Sequence, residues 1–135
     1  MKYGIFGGAV NTGTVEDVVA QAAAVERDGF ASYWAPNIFG HDALTALAVV
    51  GTQVPRIELG TAVVPTYPRH PHAIAQQSHT VAAASGNRLT LGIEPASNRY
   101  LVALDGQPVR AQIPFTNTAA LVSLLTLDGQ AGYVD

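Results

Sequence analysis

The sequence predicts an α/β domain built from parallel β-α-β units. Short apolar runs of strand length alternate with longer segments whose apolar residues recur at helical spacing, and glycine or proline separates most of them. At 135 residues the chain suits one domain, residues 1–135, with enough length to bury a core. Strands separated by a whole helix do not pair as tight hairpins, so a parallel sheet with right-handed crossovers is expected.

Composition and charge narrow the class of protein. Hydrophobic residues make up 48% of the chain and charged residues 13%, as in globular proteins. A net charge of −3 without a run of Lys or Arg argues against a nucleic-acid partner. No cysteine is present, which excludes disulfides, thiolate metal sites and cysteine nucleophiles. No apolar stretch approaches the ~20 residues that span a bilayer, and the opening residues are too polar for a signal peptide, so we expect a cytoplasmic protein without membrane contact.

The first unit is a strand followed by a helix. Residues 2–6, KYGIF, form an apolar run closed by two glycines, and a polar loop extends to Thr14, a good N-cap. Apolar residues then recur at helical spacing until Gly29 ends the helix. The segment 6–13, FGGAVNTG, leaves room for a phosphate at the helix N-terminus. Its spacing matches neither a Rossmann nor a P-loop fingerprint, so a flexible loop is the preferred interpretation.

The second unit repeats this order. Residues 32–35, SYWA, form a strand, and His41 or Asp42 caps a helix that Pro55 stops. Tyr33 and Trp34 of this strand are candidates to stack near a flat ring, although an aromatic residue in a strand is usually part of the core.

A third unit and a fourth strand follow. Residues 57–64, IELGTAVV, form one strand, and Pro71 begins a helix that runs to about Ser85. The turn GNR leads into a strand at residues 89–93. Both a doubly wound sheet and a (β/α)8 barrel fit four strands that alternate with three helices, and both bind ligands at the carboxyl ends of the strands. The stretch 59–77, LGTAVVPTYPRHPHAIAQQ, lies at such an end, and its prolines fix the shape of the loop.

Several linked features carry a resemblance to a known family. They are the Gly-Phe strand entry, the third strand RIELGTAVVP, the loop YPRHP, the helix start AQQ and the fourth strand GNRLTLGI. Over residues 2–93 the chain resembles the amino-terminal part of the bacterial-luciferase-like flavin and deazaflavin oxidoreductases and monooxygenases, in particular the branch that uses coenzyme F-420. The resemblance implies a (β/α)8 barrel that holds F-420, or alternatively FMN, and transfers hydride to or from a small organic substrate.

The resemblance also implies a binding site. It places a bulge with a non-prolyl cis peptide at the Ala62–Val63 bond, behind the ring. Tyr67 and His70 line the same loop, and the expected cofactor-binding residues are Gly60, Thr61, Ala62, Val63, Pro65, Thr66, Arg69 and Asn37. On the residues alone, a plain buried strand whose Gly60 allows close packing explains GTAVVP equally well.

Catalytic residues are harder to assign. Related sugar-oxidising enzymes place an acidic residue and a histidine after the second strand, but Pro36 and Asn37 stand there and neither transfers protons. Asn37 is a candidate hydrogen-bond donor to a ring carbonyl, and His41 is a candidate substitute base or a helix cap. The resemblance implies a glycine after the fourth strand, but Glu94 stands there. Glu94 indicates either a new carboxylate in the pocket or loss of a close backbone contact with the cofactor, and loss is the preferred interpretation. His70, His72 and His79 have no carboxylate at ligand spacing, so no metal is expected.

Residues 96–135 are predicted to form a divergent tail after the β-α units of residues 1–95. Residues 99–115 indicate two strands around Asp105-Gly106, a strong hairpin signal, and residues 119–127 indicate a short helix.

A closed barrel typically takes ~250 residues, so the sequence predicts a chain truncated to about half a barrel, with two open edges and one uncovered sheet face. A homodimer is the preferred way to complete it; closure by the tail, or a longer enzyme of which this chain is a piece, are the alternatives. The alternative function is a non-catalytic homodimeric scaffold or binding protein.

Overall fold

The computed structural model describes residues 1–66 and 68–94, together with the backbone of residues 102–104 and 107–109. Its strands are β1 (Gly4–Phe6), β2 (Ser32–Ala35), β3 (Glu58–Thr61), β4 (Val64–Pro65), β5 (Leu89–Thr90), β6 (Ile93–Glu94), β7 (Val102–Leu104) and β8 (Gln107–Val109). Its helices are α1 (Ala9–Thr12), α2 (Val15–Arg27), α3 (Ala43–Gln53) and α4 (Pro71–Ala84).

The main sheet has four strands in the order β1-β2-β3-β5, and every neighbouring pair is parallel. A second parallel pair, β4 with β6, extends the third and fourth strands. Neighbours therefore follow chain order without reversal. A barrel has this order, whereas a doubly wound sheet reverses at its switch point. The predicted α/β fold of parallel β-α units is confirmed, and the described strands form part of a barrel.

The third strand is broken rather than continuous over residues 57–64. The Ala62 amide donates to the Ala35 carbonyl of β2, 2.9 Å away, whereas the Val64 amide donates to the Gly92 carbonyl on the opposite side, 2.8 Å away. Residues two apart in a regular strand donate to the same neighbour, so one extra residue lies between them. The bulge expected from the resemblance is present, and the Ala62–Val63 bond is cis. The fourth strand is divided in the same way, into β5 and β6.

Helices α2, α3 and α4 begin where their caps predict. The Thr14 hydroxyl accepts the Asp17 amide, and the Asp17 carboxylate accepts the Thr14 amide in return. Asp42, and not His41, caps α3 by accepting the Thr45 amide. These helices cover one face of the sheet, where the buried core includes Val18, Ala22, Tyr33, Ala35, Leu44, Leu47, Val50 and Leu59.

A short helix, α1, occupies the segment predicted as a flexible loop. Val10 is fully buried in the core, and its carbonyl accepts the His41 amide at 2.9 Å. These tertiary contacts fix the segment, and the loop prediction was wrong here. The phosphate interpretation of the segment gains no support, because the Asp17 carboxylate already occupies the first turn of α2.

Arg88 joins the elements at the amino ends of the strands. Its guanidinium donates to the carbonyls of Gly51 and Val54 at the end of α3, of Ile57 before β3, and of Ser85 after α4. The last carbonyls of a helix have no partner within the helix, so a single side chain satisfies groups that are otherwise unpaired. In barrels this end of the sheet serves stability rather than ligand binding.

The predicted hairpin of the tail is confirmed for its two strands. β7 and β8 pair antiparallel, with Val102 opposite Val109. The turn Asp105-Gly106 and the helix predicted for residues 119–127 lie outside the described residues. None of the described helices has the length and hydropathy needed to cross a membrane.

Candidate functional site

The carboxyl ends of the parallel strands share one edge of the sheet, and the loops after β2 and β4 meet there. β2 ends at Ala35 and leads into Pro36 and Asn37, whereas β4 leads through Thr66 to Arg69. The Nη2 atom of Arg69 lies 3.5 Å from the Asn37 Oδ1 atom. Two of the predicted binding residues therefore come together, although 32 positions separate them in the sequence.

Asp42 connects Arg69, in the loop after β4, to the start of α3. Its Oδ1 atom pairs with the Arg69 guanidinium, and its Oδ2 atom accepts the Thr45 amide at 2.9 Å and the Thr45 hydroxyl at 2.6 Å. Burial alone would raise the pKa of Asp42, but the two Thr45 hydrogen bonds and the Arg69 charge together lower it below its usual value. Asp42 thus remains a carboxylate that fixes Arg69 beside the start of α3.

Asn37 adds a second tie between the same elements. Its Oδ1 atom accepts the Ala43 amide at 3.0 Å, in the first turn of α3. The Asn37 Oδ1 atom is therefore already an acceptor within the protein. The Asn37 Nδ2 group is the donor that a ligand can use.

The bulge between β3 and β4 lies next to this meeting point, because the Ala62 amide is bonded to Ala35, two residues before Asn37. Ala62, Val63 and Pro65 are half-buried. Gly60 is buried beneath Trp34: a Cβ atom at Gly60 would lie 2.3 Å from Trp34 Cε3. The close packing that the plain-strand interpretation assigns to Gly60 is thus real, and it coexists with the bulge.

The two predicted threonines are buried and bonded to the fourth strand. The Thr61 hydroxyl donates to the Gly92 carbonyl at 2.8 Å and accepts the Gly92 amide at 2.9 Å. The Thr66 hydroxyl and amide both donate to the Glu94 carbonyl, at 3.2 and 3.1 Å. Both residues therefore fix the bulge against the fourth strand, and a ligand role for them stays a prediction.

The hydrogen bonds of His41 go to residues other than Asn37 and Arg69. Its Nε2 atom is 2.9 Å from the Gly13 carbonyl, and its backbone amide donates to Val10. These contacts hold the loop after β2 against α1. They supply no contact between His41 and the residues of the bulge.

The two aromatic candidates of β2 point in opposite directions. Tyr33 is fully buried among the helices, and its hydroxyl donates to the Gln21 side chain at 2.9 Å. Burial raises the pKa of Tyr33 to about 12. Trp34 lies half-buried on the face away from the helices, where its indole donates to the Ser32 hydroxyl at 2.8 Å.

The three histidines of the metal hypothesis are exposed. His70 caps α4, with its Nδ1 atom accepting the His72 amide at 3.2 Å, and His79 lies further along the same helix. Within the part of the chain that the structure describes, no three groups of the metal-binding types lie together.

Apolar side chains at this edge are a feature that sequence reasoning missed. Phe6, at the end of β1, is 60% exposed, and Ile38 and Phe39, in the loop after β2, are 49% and 80% exposed. Two adjacent apolar residues, Ile38 and Phe39, in the otherwise polar loop 36–42 could have indicated this apolar surface from the sequence.

Comparison with known proteins gives consistent results. Residues 1–117 match the family of luciferase-like monooxygenases, which extends past residue 93, where the resemblance was expected to end. A Mycobacterium tuberculosis protein assigned to the coenzyme F-420-dependent oxidoreductases is 31% identical over 103 residues, which are 76% of this chain and 29% of that protein. An uncharacterised Mycobacterium bovis protein is 28% identical over 87% of this chain and 36% of its own length. The chain thus spans about a third of the length of these relatives.

Solved structures agree on the fold. The coenzyme F-420-dependent tetrahydromethanopterin reductase of Methanopyrus kandleri superposes with a TM-score of 0.64 at 22% identity, over 71% of this chain and 27% of the reductase. A monooxygenase of Streptomyces bottropensis gives a TM-score of 0.63 at 23% identity, over 73% of this chain and 34% of that enzyme.

Proposed function

Because the chain belongs to the family of luciferase-like monooxygenases, we propose that it is an oxidoreductase that binds the ring of coenzyme F-420, or alternatively FMN, at the carboxyl edge of its strands. The proposed reaction transfers hydride between that ring and a small organic substrate. One observation carries the proposal: the bulge after β3, the Asn37 amide and the Arg69 guanidinium lie together at this edge. The F-420-dependent relatives support the choice of ring.

The residues at this edge fit a flat ring that bears carbonyl or phosphate oxygens. Among the described residues, the buried Nη1 atom of Arg69 has no hydrogen-bond acceptor, although Nη2 is paired with Asp42. A guanidinium nitrogen donates and never accepts, so this atom favours an oxygen ligand. Ala62 and Val63 supply half-buried apolar surface at the same edge. Apolar walls with a few placed polar groups are typical of cofactor sites.

Each group has a distinct part in the proposed site. When bound, the ring supplies the hydride chemistry. Ala62 and Val63 support one face of the ring, Asn37 donates its amide N–H to a ring oxygen, and Arg69 Nη1 binds a carbonyl or phosphate oxygen. Asp42 touches no ligand in this account and acts by positioning Arg69.

The second candidate function is the non-catalytic scaffold. One observation favours it: no acid–base side chain follows β2, where Pro36 and Asn37 stand, and the nearby His41 ring is bonded to Gly13 instead. Among the described residues that follow β2, neither Pro36 nor Asn37 transfers protons, so on this reading the substrate or the cofactor would have to supply the proton.

The two candidates are separated by titrating the folded chain with F-420 and with FMN while following ligand fluorescence. Arg69→Lys keeps a positive charge opposite Asp42 but removes the second guanidinium nitrogen. Arg27→Lys is the matched control, because Arg27 is 75% exposed at the far end of α2 and contacts only Asp28 among the described acidic groups. We expect saturable micromolar binding that Arg69→Lys weakens at least tenfold and Arg27→Lys leaves unchanged. A chain that is folded by circular dichroism but binds neither ring contradicts the oxidoreductase proposal.

A further inference from the structure

Glu94 ends the fourth strand at the same edge of the sheet as the proposed site. β6 pairs in parallel with β4, and Glu94 lies opposite Pro65 in that register. The Glu94 carbonyl accepts the amide and the hydroxyl of Thr66, and the Thr66 carbonyl accepts the Arg69 amide at 3.2 Å. Thr66 therefore connects Glu94 to the loop that carries Arg69.

The Glu94 side chain leaves the strand on the face away from the helices. Leu89, Leu91 and Ile93 pack against the core clusters on the helix side. Side chains alternate along a strand, so Gly92 and Glu94 share the opposite face. In a barrel that face is the interior, and ligands bind at its carboxyl end.

Val63 of the bulge reaches the same face close to Glu94. A Cβ atom at Gly92 would lie 3.2 Å from the Val63 Cγ1 atom. Residues two apart on a strand are separated by ~7 Å, so Glu94 is one such step beyond the contact between Gly92 and Val63. The half-buried Glu94 therefore lies beside the surface that the proposed site assigns to one face of the ring.

Glu94 also changes the charge of this edge. Asp42, the other carboxylate placed there, is paired with the Arg69 guanidinium. The Glu94 side chain takes part in none of the ion pairs among the described residues. This placement supports one of the two interpretations of Glu94 from the sequence, a new carboxylate in the pocket.

A charged group beside a redox ring changes the electronic properties of that ring. Reduction adds a hydride, which is a proton with two electrons, and a negative charge nearby makes this addition less favourable. We propose that Glu94 lowers the reduction potential of the bound ring and so favours hydride transfer from the ring to the substrate over the reverse. A substrate carbon gains the hydride with both electrons as the bond that held it in the ring breaks. This inference rests on the proposed function and adds the direction of its reaction.

The test is the reduction potential of the bound ring in variants that lose one negative charge. The chain is loaded with F-420 and, separately, with FMN, and each potential is measured spectrophotometrically against a reference dye. Glu94→Gln removes the charge, keeps the size of the side chain and leaves the backbone bonds to Thr66 in place. Glu58→Gln is the matched control. Because Leu59 points toward the helices, Glu58 lies on the same face as Glu94, but at the amino end of β3.

We expect Glu94→Gln to raise the potential by at least ~30 mV, which is a tenfold change in the ratio of the affinities for reduced and oxidised ring in a two-electron couple. Unit charges within ~10 Å of one another account for a tenfold effect at an effective dielectric constant of ~20. Glu58→Gln should change the ratio less than threefold. An unchanged or lower potential in Glu94→Gln overturns the proposal. A folded parent chain that binds neither ring contradicts the proposed function, and this inference with it.

A second measurement uses the parent chain and needs no folded variant. Its glutamate carboxyl groups are labelled with carbon-13, assigned from their own backbone resonances and followed while each oxidised ring is added. We expect the Glu94 carboxyl signal to shift until the ring saturates the chain, and the Glu58 signal to stay in place. A Glu94 signal that does not move in a ring-saturated chain overturns the proposal and leaves the proposed function intact.

Discussion

Replacing Arg88 by alanine should destabilise the fold far more than any exposed arginine does. The side chain donates to four backbone carbonyls, three of which are 2.6, 2.9 and 3.1 Å away, on Ser85, Val54 and Gly51. These carbonyls belong to the ends of α3 and α4, and the fourth, on Ile57, precedes β3. The substitution therefore removes a connection among three elements at once.

The magnitude follows from the number of bonds and their exposure. A hydrogen bond to a charged group contributes about 1.5–3 kcal/mol, and four of them would sum to at least about 6 kcal/mol if they were independent. Arg88 is half-buried, so water replaces part of this set, and bonds that share one side chain are not additive. We expect Arg88→Ala to lower the free energy of unfolding by about 3–4 kcal/mol. Arg88→Lys should lose about 2 kcal/mol, because an ammonium does not reach four carbonyls in a fork geometry.

Urea unfolding followed by circular dichroism measures both values. Arg56→Ala is the matched control: the Arg56 side chain is 77% exposed and lies 3.3 Å from Glu26. An exposed ion pair contributes about 0–1 kcal/mol, so this variant should stay within about 1 kcal/mol of the parent chain. An Arg88→Ala variant that loses no more unfolding free energy than Arg56→Ala, or an Arg88→Lys variant as stable as the parent chain, would refute a stabilising role of these four bonds.

Three further predictions concern the residues around the site and the core. Asp42→Asn keeps an N-cap acceptor but removes the charge opposite Arg69, which should cost about 1 kcal/mol at neutral pH. Folding lowers the pKa of Asp42. The difference in unfolding free energy between the parent chain and Asp42→Asn should therefore be fully present above the pKa of an unfolded aspartate, ~4, and should vanish as the pH falls through the folded pKa. Urea titrations at several pH values measure this difference. Burial raises the pKa of Tyr33 to about 12, so unfolding free energy should fall as the pH rises above ~10, and Tyr33→Phe should reduce that fall in alkaline urea titrations. Gly7→Ala should cost about 1–3 kcal/mol in thermal or urea unfolding, because its Cβ would lie 2.2 Å from the Tyr33 hydroxyl oxygen, whereas Gly8→Ala, with nothing within 4 Å, should be nearly neutral.

Local sequence signals predicted the helices well. Thr14 and Asp42 cap the following helices through side chains three residues away from their partners, and Pro71 occupies the first turn of α4. Such contacts are encoded within one turn of chain, so they can be recognised without the rest of the fold. The short helix α1 was missed because the burial of Val10 depends on distant elements.

The candidate site could be predicted only in part. Asn37 and Arg69 were chosen from the resemblance, and the structure brings them together. Asp42 was seen as a helix cap alone, since its partner Arg69 is 27 residues away and no local spacing relates the two. The bulge has no periodic signature either, because it consists of one residue that reverses the hydrogen-bonding side of the strand.

Polar side chains are paired at the amino end of the sheet and incompletely paired at its carboxyl end, which separates a stabilising end from a candidate binding end. At the amino end, Arg88 and Glu26 satisfy backbone groups, with the Glu26 carboxylate accepting the amides of Arg56 and Ile57 at 2.8 and 2.7 Å. At the carboxyl end, a buried Arg69 nitrogen has no acceptor among the described residues. An unpaired buried donor is costly without a ligand. The proposed binding site is therefore at the carboxyl end.

The most direct test of the central claim is to map ring binding on the folded chain by amide chemical shifts. A uniformly nitrogen-15-labelled sample is titrated with F-420 and, separately, with FMN. We expect saturable shifts at the amides of Asn37, Ala62, Val63 and Arg69, and none at Glu26 or Arg56 on the opposite edge. Saturable shifts centred on the amino edge, or a folded chain whose amides do not respond to either ring, would contradict the account.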